Sequence, residues 1–402
     1  MRKINVRDFR RATRGTAREI NRQIALNLVR EHQPISRADL ARRMEIGRGM
    51  VTALIGELLE EGAIVEGATV DAPRGRRPKM LHIRTRDRLV VAVDIRFSRT
   101  YVMLSDFGGT QLALETFPTD FDPVVLVAAI AERIERLKRL HLSIGSVEGI
   151  GMVVPGLVDL VTGRVINAPQ LGWKNVDVRD ILADATGLPV QIENAPMACA
   201  LAKMWLGQQG DGGDFVYVTV SDGVGTGIVV NGQLMRGAGN TAGEFGHVPL
   251  NRDGPECLCG SRGCWEAYTS NLATLSRYLG SPARQSRTLL HSIELTVPEV
   301  IARARTGDAR ALEAILGTGR YLGMGLANVI NALNPSRIFV GGEITAAWDL
   351  IEGEVRAAMI AGSFTSAAVT TPVIPEQSIE YPRLRGATAL VSAQPFAAPI
   401  VA

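Results

Sequence analysis

The hydrophobic positions near the start of the chain recur with the period of an α-helix. Their spacing of three and four residues predicts one amphipathic helix over residues 18–32. Pro34 ends it, because proline lacks the amide hydrogen that a helix interior needs. The apolar positions that define the face of this helix are Ala17, Ile20, Ile24 and Leu28.

Two shorter helices are predicted after this proline. Ser36 and Asp39 form the pattern Ser-x-x-Asp, a capping-box-like start for a helix that continues through Met44. Residues 45–47 form a turn, and a third helix extends to about Glu61, where Gly62 ends it. The apolar stripe of the third helix is Val51, Leu54, Ile55, Leu58 and Leu59. Three helices with a tight turn between the second and third are typical of a helix-turn-helix.

A strand–loop–strand pattern follows the three helices. Residues 63–66 and 79–83 have the composition of strands, and the segment 74–78 between them holds three arginines with a glycine and a proline. This pattern predicts a β-hairpin wing, whose arginines suit the narrow, electronegative minor groove of DNA. We therefore predict a winged helix-turn-helix that binds double-stranded operator DNA; a small trihelical interaction module is the alternative. The residues expected to contact DNA are Ser36, Arg37, Arg48, Met50, Thr52, Arg74, Arg76 and Arg77.

Charge is divided unevenly along the chain. Residues 1–86 carry 19 Lys or Arg and 10 Asp or Glu, a net charge of +9, whereas the remainder carries 25 and 31, a net charge of −6. This asymmetry indicates that the first part alone meets a polyanion; the alternative is a well-solvated basic surface. The basic arm at the N-terminus is either a source of phosphate contacts or a solvated tail. Its basic residues are Arg2, Lys3, Arg7, Arg10, Arg11 and Arg14.

After residue 88 the pattern changes to strands with one helix among them. Asp122 is placed to cap a helix that starts at Pro123 and extends to about Leu140. Three strands, a helix and a strand are how each half of an actin- or hexokinase-like domain begins. No Gly-x-Gly-x-x-Gly follows the first strand, which disfavours a dinucleotide-binding fold. The strands are predicted over 89–95, 99–105, 111–119 and 147–154.

Length and composition set the class of the protein. The chain has 402 residues, 46% of them hydrophobic and 21% charged, which is typical of a soluble globular protein of two or three domains. The N-terminus lacks the apolar core of a signal peptide, and no run approaches the roughly 20 apolar residues of a membrane span, so we expect a cytoplasmic protein. The predicted fold is α/β, with a winged helix-turn-helix over 1–86 and a two-lobed actin/hexokinase-like domain over 87–402, its cleft near 194–266.

Three of the four cysteines lie within eight residues, which indicates a metal site and not a disulfide framework. Cys257, Cys259 and Cys264 have the spacing Cys-x-Cys-x4-Cys, with glycines at 260 and 263 that let the loop wrap around a small ion. His247, ten residues upstream, is the natural fourth ligand. Three thiolates and an imidazole predict one structural, tetrahedral zinc ion per chain; three free buried cysteines are the alternative. Cys199 stands alone and is expected in the core.

Five motifs of the second domain resemble those of the ROK family, which groups sugar-responsive repressors with sugar kinases. They are VPGLVD at 154–159, NAPQLGW at 167–173, GVGTG at 223–227, AGEFGH at 242–247 and CLCGSRGCWE at 257–266. The resemblance extends through NP at 334–335 and GGE at 341–343, so it covers nearly all of residues 89–390. A winged module ahead of such a domain is the arrangement of the family's repressor branch.

The resemblance implies a sugar site in the cleft. Its residues are Gln170, Asn194, Glu244, His247 and Glu266. Carboxylates accept hydrogen bonds from paired hydroxyls, and an amide both donates and accepts; solvated loop carboxylates are the alternative for the two glutamates. His247 can bind zinc through one ring nitrogen and a sugar hydroxyl through the other. Ala195 replaces an Asp that also binds sugar in the family, and Gln170 stands where the family usually has Asn. These two departures leave a disaccharide, a pentose or a phosphorylated sugar open as the effector.

Three positions depart from the pattern of the family's kinases. Residues 94–98 read DIRFS where kinases carry Asp-x-Gly-Gly-Thr, so bulky side chains replace glycines that let backbone amides approach phosphate. Asp222 puts a carboxylate in the second phosphate loop. Ala195 replaces the Asp that takes the proton from the sugar hydroxyl. We therefore predict that the chain is not an enzyme. An ATP-dependent sugar kinase and a DNA-binding scaffold without a ligand are the alternatives.

These motifs together predict a sequence-specific transcriptional regulator, a repressor of carbohydrate-related genes controlled by a sugar or sugar derivative. A homodimer or homotetramer of the second domain would hold two winged modules at the spacing of DNA half-sites. Sugar binding between the lobes would shift the population toward a closed state. The sequence leaves open whether the effector releases or promotes DNA binding.

Overall fold

A computed structural model of the protein describes residues 14–69, 78–141, 143–207, 213–280, 295–377 and 381–397. The predicted wing-tip residues Arg74, Arg76 and Arg77 lie outside the described residues, as do residues 1–13 of the N-terminal arm. Among the helices of the described part, none has the length and apolar character needed to cross a bilayer.

The first module consists of three helices and a three-stranded antiparallel sheet. Its elements are α1 (Arg14–His32), β1 (Ile35–Ser36), α2 (Arg37–Met44), α3 (Arg48–Glu60), β2 (Ile64–Thr69) and β3 (Lys79–Ile83). The sheet has the order β1-β3-β2, so the hairpin expected from the sequence gains β1 as a third strand. Ser36 caps α2 in a capping box, with the amide of Asp39 donating to Ser36 Oγ at 3.2 Å. Glu45 then adopts the left-handed conformation that turns the chain into α3.

The buried face of α1 differs from the face that the sequence pattern predicts. Ala25, Leu26 and Val29 are fully buried or nearly so, whereas Ile24 is 44% exposed. The helix exists as expected, but the predicted stripe was wrong. The reason is that α1 packs against α2 and α3 on one side and also contacts the end of the chain near residue 396, which a single-helix pattern does not reveal.

The first lobe is built on a five-stranded sheet with the order β11-β7-β4-β5-β6. Its strands are β4 (Arg88–Ile95), β5 (Arg99–Asp106), β6 (Gln111–Pro118), β7 (Ser146–Val154) and β11 (Val190–Asn194). The helices of this lobe are α4 (Pro123–Leu140) and α5 (Val178–Thr186), and a small sheet contains β8 (Leu157–Asp159), β9 (Arg164–Ala168) and β10 (Trp173–Val176). Asp122 caps α4 as the sequence predicts.

The second lobe repeats this topology, with the order β14-β13-β12-β15-β16. Its strands are β12 (Phe215–Val220), β13 (Val224–Val230), β14 (Gln233–Leu234), β15 (Arg337–Gly341) and β16 (Val373–Pro375). Its helices are α7 (Trp265–Thr269), α8 (Asn271–Leu279), α9 (Val297–Arg305), α10 (Ala309–Leu333), α11 (Trp348–Gly362) and α12 (Ala367–Thr370). In both sheets, two antiparallel hairpin connections precede two strands parallel to the first. The two-lobed α/β fold predicted from the sequence is confirmed.

Two helices join the lobes. They are α6 (Ala195–Leu206), which follows β11 and precedes β12, and α13 (Pro382–Ser392), which follows β16 and packs on β4, β7 and α6. Their contact is close at Gly386, where a Cβ would lie 2.3 Å from the carbonyl oxygen of Ala198. A larger residue at this position would force the two helices apart.

Candidate binding cleft and metal centre

Three cysteines and one histidine meet on the segment between β14 and α8. One ligand atom from each of His247, Cys257, Cys259 and Cys264 lies within 4.8 Å of the others. The Sγ atoms of Cys259 and Cys264 are 3.7 Å apart, and Cys257 Sγ is 3.8 Å from His247 Nδ1. This donor set and this compactness fit a tetrahedral metal site, so the cluster expected from the cysteine spacing could hold a metal ion.

Separate local elements supply the four donors. His247 ends a 3-10 turn, Phe245–His247, and Cys264 is the N-cap of α7. A β-bridge between Pro249 and Cys264 closes the loop that carries the other two cysteines. Burial raises the pKa of the Cys264 thiol to about 11 and the pKa of Cys257 well above its usual range. A bound cation would lower these pKa values and hold the side chains as thiolates.

A cavity of about 690 Å³ lies between the two lobes, beside the cysteine cluster. Its volume is in the range of small-molecule sites in proteins. All five residues that the sequence predicts for ligand binding line this cavity, and they are Gln170, Asn194, Glu244, His247 and Glu266. The structure therefore brings the whole predicted set into one site, although its members span almost a hundred residues of the chain.

Glu266 is the most deeply buried carboxylate that lines the cavity near the metal cluster. It is 7% exposed, and its Oε2 accepts a hydrogen bond from the amide of Val224 at 2.9 Å. Burial raises its pKa. Gly223 lets Glu266 approach Gln170, because a Cβ at this position would lie 2.8 Å from Glu266 Oε2 and 3.2 Å from Gln170 Nε2.

His247 has a different neighbour at each ring nitrogen. Its Nδ1 points to Cys257 in the cluster, and its Nε2 lies 3.9 Å from Glu244 Oε2 at the cavity. Burial also raises the pKa of Glu244, although this side chain is 48% exposed. One imidazole can therefore contact a metal and a cavity ligand at the same time.

Asn194 stands where β11 meets α6. Its side-chain oxygen accepts from the amide of Met197 at 3.1 Å, which caps α6. The preceding Glu193 is fully buried and accepts from Arg236 of the second lobe at 2.5 Å. Ala195 follows and lines the cavity, so a methyl group stands there in place of the carboxylate that the sequence resemblance implies for a kinase.

A network of charged side chains lies where Arg96, Asp222 and Arg383 line the cavity. Arg96 Nε lies 2.7 Å from Asp94, and its Nη1 lies 3.6 Å from Glu343 of the second lobe. Arg383 lies 2.7 Å from the other oxygen of Asp94. Burial, followed by the nearby Glu343, raises the pKa of Asp222. The sequence comparison with kinases identified residues 96 and 222 only as departures. It missed Arg383, which no motif marks, and it gave Glu343 only as part of the GGE motif, without its charge pair.

The predicted DNA-contact residues within the described range divide into three groups. Arg48, Met50 and Thr52 are exposed at the start of α3, as a recognition helix requires. Arg37 lies 2.7 Å from Glu66 of the wing strand β2. Ser36 is buried, and its hydroxyl is used as the cap of α2, so it positions the helix that precedes the turn. Two exposed arginines of α2 that the sequence pattern did not single out also lie on this module, Arg42 and Arg43.

A model of the ROK family matches residues 90–394 of the chain. The chain belongs to the ROK family. It is 30% identical to the xylose repressor of Caldicellulosiruptor bescii over 354 residues, which is 86% of this chain and 89% of that protein. The recognition of the family from its five motifs is thereby confirmed.

Solved structures of ROK proteins match the fold to different extents. A ROK family transcriptional regulator, a homologue of the Escherichia coli Mlc protein, has a TM-score of 0.79 at 27% identity and covers 95% of this chain and 97% of its own. A ROK family glucokinase from Streptomyces griseus, in complex with glucose and AMPPNP, has a TM-score of 0.62 at 26% identity and covers 75% of this chain and 99% of its own. The two coverages differ by about a fifth of this chain, which is the share of residues 1–86.

Proposed function

We propose that the protein is a DNA-binding transcriptional regulator, a repressor of carbohydrate-related genes whose DNA binding is controlled by a sugar or sugar derivative. The observation that carries this proposal is the presence, in one chain, of a winged helix-turn-helix and a kinase-like cleft without a catalytic base. The similarity to a xylose repressor and to a ROK family transcriptional regulator supports it. The protein is a regulator and not an enzyme.

Residues 1–86 form the DNA-binding domain in this proposal. Arg48, Met50 and Thr52 would read base edges in the major groove of double-stranded operator DNA, with Arg37 and the N-terminus of α2 beside the backbone. Wing-tip contacts to the minor groove are assigned to Arg74, Arg76 and Arg77. The exposure of Arg48, Met50 and Thr52 at the start of α3 supports their role. The net charge of +9 on residues 1–86 supports binding to a polyanion.

Residues 87–402 form the effector and oligomerisation domain. We assign the sugar to the cavity between the lobes, where it would contact Gln170, Asn194, Glu244, His247 and Glu266. One zinc ion per chain would be held by the cluster of His247 and three cysteines. The ion would fix the loop that carries the sugar contacts, because His247 belongs to both sites.

The cleft is unsuited to the kinase alternative at two points. Ala195 offers no acceptor for the proton of a sugar hydroxyl, so the nucleophile would not be activated. At the phosphate end, Arg96 is already paired with Asp94 and reaches Glu343, and Asp222 adds a further carboxylate. Both guanidinium groups at this end, those of Arg96 and Arg383, are already paired with Asp94, so neither is available to bind nucleotide phosphates.

The regulatory cycle would proceed by a shift between two populations of the lobes. A homodimer or homotetramer in the cytoplasm would hold two winged modules at the half-site spacing of the operator. The sugar can change DNA affinity only through its different affinity for the two states. A direct test is thermal unfolding of the full chain with D-xylose, D-glucose and their phosphates. A ligand at a hundred times its Kd adds about 2.7 kcal/mol of stability. A melting temperature that none of these sugars or sugar phosphates changes would contradict the proposed effector site.

A further inference from the structure

Two helices start at the cleft and end at the DNA-binding module. The N-cap Asn194 and the first-turn residue Pro196 of α6 line the cavity, and α6 ends at Leu206 beside α1. Arg383 at the start of α13 lines the same cavity, and the 3-10 turn Gln394–Phe396 that follows α13 contacts α1. The cleft and the DNA-binding module are therefore connected by α6 and by α13 together with the 3-10 turn that follows it.

The helices α6 and α13 are packed closely against each other. The twelve residues of α6 span about 18 Å at 1.5 Å per residue. The close approach at Gly386, described above, leaves no space between α6 and α13. Arg385, in the first turn of α13, also donates to the carbonyl oxygen of Leu206, the last residue of α6, at 2.6 Å, which adds a second link between the two helices. A displacement of their first turns in the cleft is therefore passed along their length, because close-packed helices transmit strain.

Arg30 of α1 contacts the end of α6 and the 3-10 turn that follows α13. Its Nη1 donates to the carbonyl oxygen of Trp205 at 3.2 Å, and its guanidinium lies 4.7 Å from the centroid of the Trp205 ring. The same guanidinium lies 5.6 Å from the centroid of Phe396, and the two rings are 6.4 Å apart. We call the group of Arg30, Trp205 and Phe396 the arginine clasp. A cation between two aromatic rings is a directional contact, so its energy depends on the relative position of the helices.

Two further hydrogen bonds and a cavity lie beside the clasp. Asn27 and Gln23 of α1 donate to the carbonyl oxygens of Phe396 and Pro395, at 3.0 and 2.5 Å. A cavity of about 500 Å³ borders Arg30, Trp205 and Phe396. The hydrogen bonds hold α1 to the turn that follows α13, and the cavity leaves space for the side chains of the clasp to change position.

We propose that Arg30 is a positioning residue through which the cleft sets the orientation of the DNA-binding module, with α6 and α13 as the connecting elements. The proposal rests on the proposed function, since it assigns a route to the regulation described there. In this account most of the effect of a change at Asn194 reaches α1 through the clasp. Removal of the clasp leaves both ends folded and weakens their coupling, which then rests on the hydrogen bonds of Asn27 and Gln23.

The test is hydrogen–deuterium exchange of the full chain, measured on peptides that cover residues 23–30, and it needs neither a sugar nor an operator. Asn194→Ala removes the cap of α6 at the cleft. We expect it to raise exchange in the 23–30 segment about fivefold, the effect of losing one N-cap passed on to α1. Arg30→Met raises exchange there by itself. In the double variant, Asn194→Ala should add less than about twofold, whereas a merely structural clasp leaves its full fivefold effect, so that the effects multiply.

Two further variants protect this test from misinterpretation. Trp205→Leu removes the ring contact from the other side and should reduce the coupling in the same way, which covers the case that Arg30→Met does not fold. Arg18→Met is the matched control, because Arg18 lies on the same helix but pairs with Glu57 within the DNA-binding module. It should leave the response to Asn194→Ala intact. Multiplicative effects of Asn194→Ala and both clasp variants would overturn the proposal.

A second arm uses D-xylose and D-glucose as probes and separates this proposal from the proposed function. A sugar that raises the melting temperature of the unaltered protein should raise that of Arg30→Met as well, but should change its affinity for DNA much less than that of the unaltered protein. An equal change of DNA affinity in both proteins contradicts the role of Arg30 and leaves the proposed function standing. If neither sugar acts on the unaltered protein, the proposed effector site fails and the exchange experiment alone decides the role of the clasp.

Discussion

Replacement of Glu266 by glutamine tests the assignment of the sugar site most finely. The substitution keeps the shape of the side chain and removes its charge. One oxygen of Glu266 accepts from the amide of Val224 at 2.9 Å, and the thiol of Cys257 lies 3.6 Å from the other. The glutamine oxygen can keep the bond to Val224, so we expect Glu266→Gln to fold with little loss of stability.

The expected loss of sugar affinity follows from the charge alone. A hydrogen bond to a charged acceptor contributes about 1.5–3 kcal/mol and one to a neutral acceptor about 0.5–1.5 kcal/mol. The difference, roughly 1–1.5 kcal/mol, corresponds to a sugar affinity lower by about 5- to 12-fold. Glu244→Gln is the matched control at the same cavity. Because the Glu244 side chain is 48% exposed and water competes for it, we expect its loss to be about twofold or less.

Calorimetric titration of both variants with the sugar that stabilises the unaltered protein measures these ratios directly. Melting temperatures without sugar serve as the control for folding. Equal losses in the two variants, or no loss in Glu266→Gln, would mean that the buried carboxylate does not contact the sugar.

Three further substitutions test other parts of the account. Cys259→Ser should reduce the zinc content from about one ion per chain to nearly none. It should also lower the melting temperature, because structural zinc contributes on the order of 10 kcal/mol to the folding of its site. The control variant Cys199→Ser should keep the metal. The double variant Arg76→Ala/Arg77→Ala should bind DNA more weakly with a flatter salt dependence; unchanged binding removes the wing from the interface. Because burial raises the pKa of Asp222 in the folded protein, the free energy of unfolding falls as pH rises from about 4 through that raised pKa, by at most about 1.4 kcal/mol for each pH step of one. In urea unfolding, the free energy of unfolding of Asp222→Asn should not show this decrease with pH. The same dependence on pH in the variant and the unaltered protein would contradict the prediction.

Local signals were the part of the fold that the sequence predicted well. The cap at Ser36 and the proline at position 123 placed α2 and α4 correctly, because capping depends on residues that are close in sequence. The buried face of α1 could not be predicted, since it depends on Phe396, which lies more than 350 residues away. The short strand β1 was missed for a similar reason, because its pairing with β3 is a tertiary contact.

The metal cluster and the cleft differ in how far the sequence revealed them. The spacing of three cysteines pointed to their common site directly, and the structure places their ligand atoms within 4.8 Å together with His247. The charged network around Arg96 could not be found in this way, because Arg383 and Glu343 come from distant segments and belong to no motif that signals a charge pair. The role of Gly223 also needs the fold, since only the structure shows which side chains converge on it.

The central claim is that, in one chain, the binding of a sugar changes the affinity for DNA. It is tested most directly by a titration of the full-length protein against its operator, selected from random DNA, with and without the sugar that raises its melting temperature. The account predicts that this sugar changes the Kd for the operator by about 5- to 150-fold, the usual range of coupling between two sites. It also predicts that Glu266→Gln needs a higher sugar concentration for the same change. An operator affinity that stays the same at saturating sugar would contradict the account.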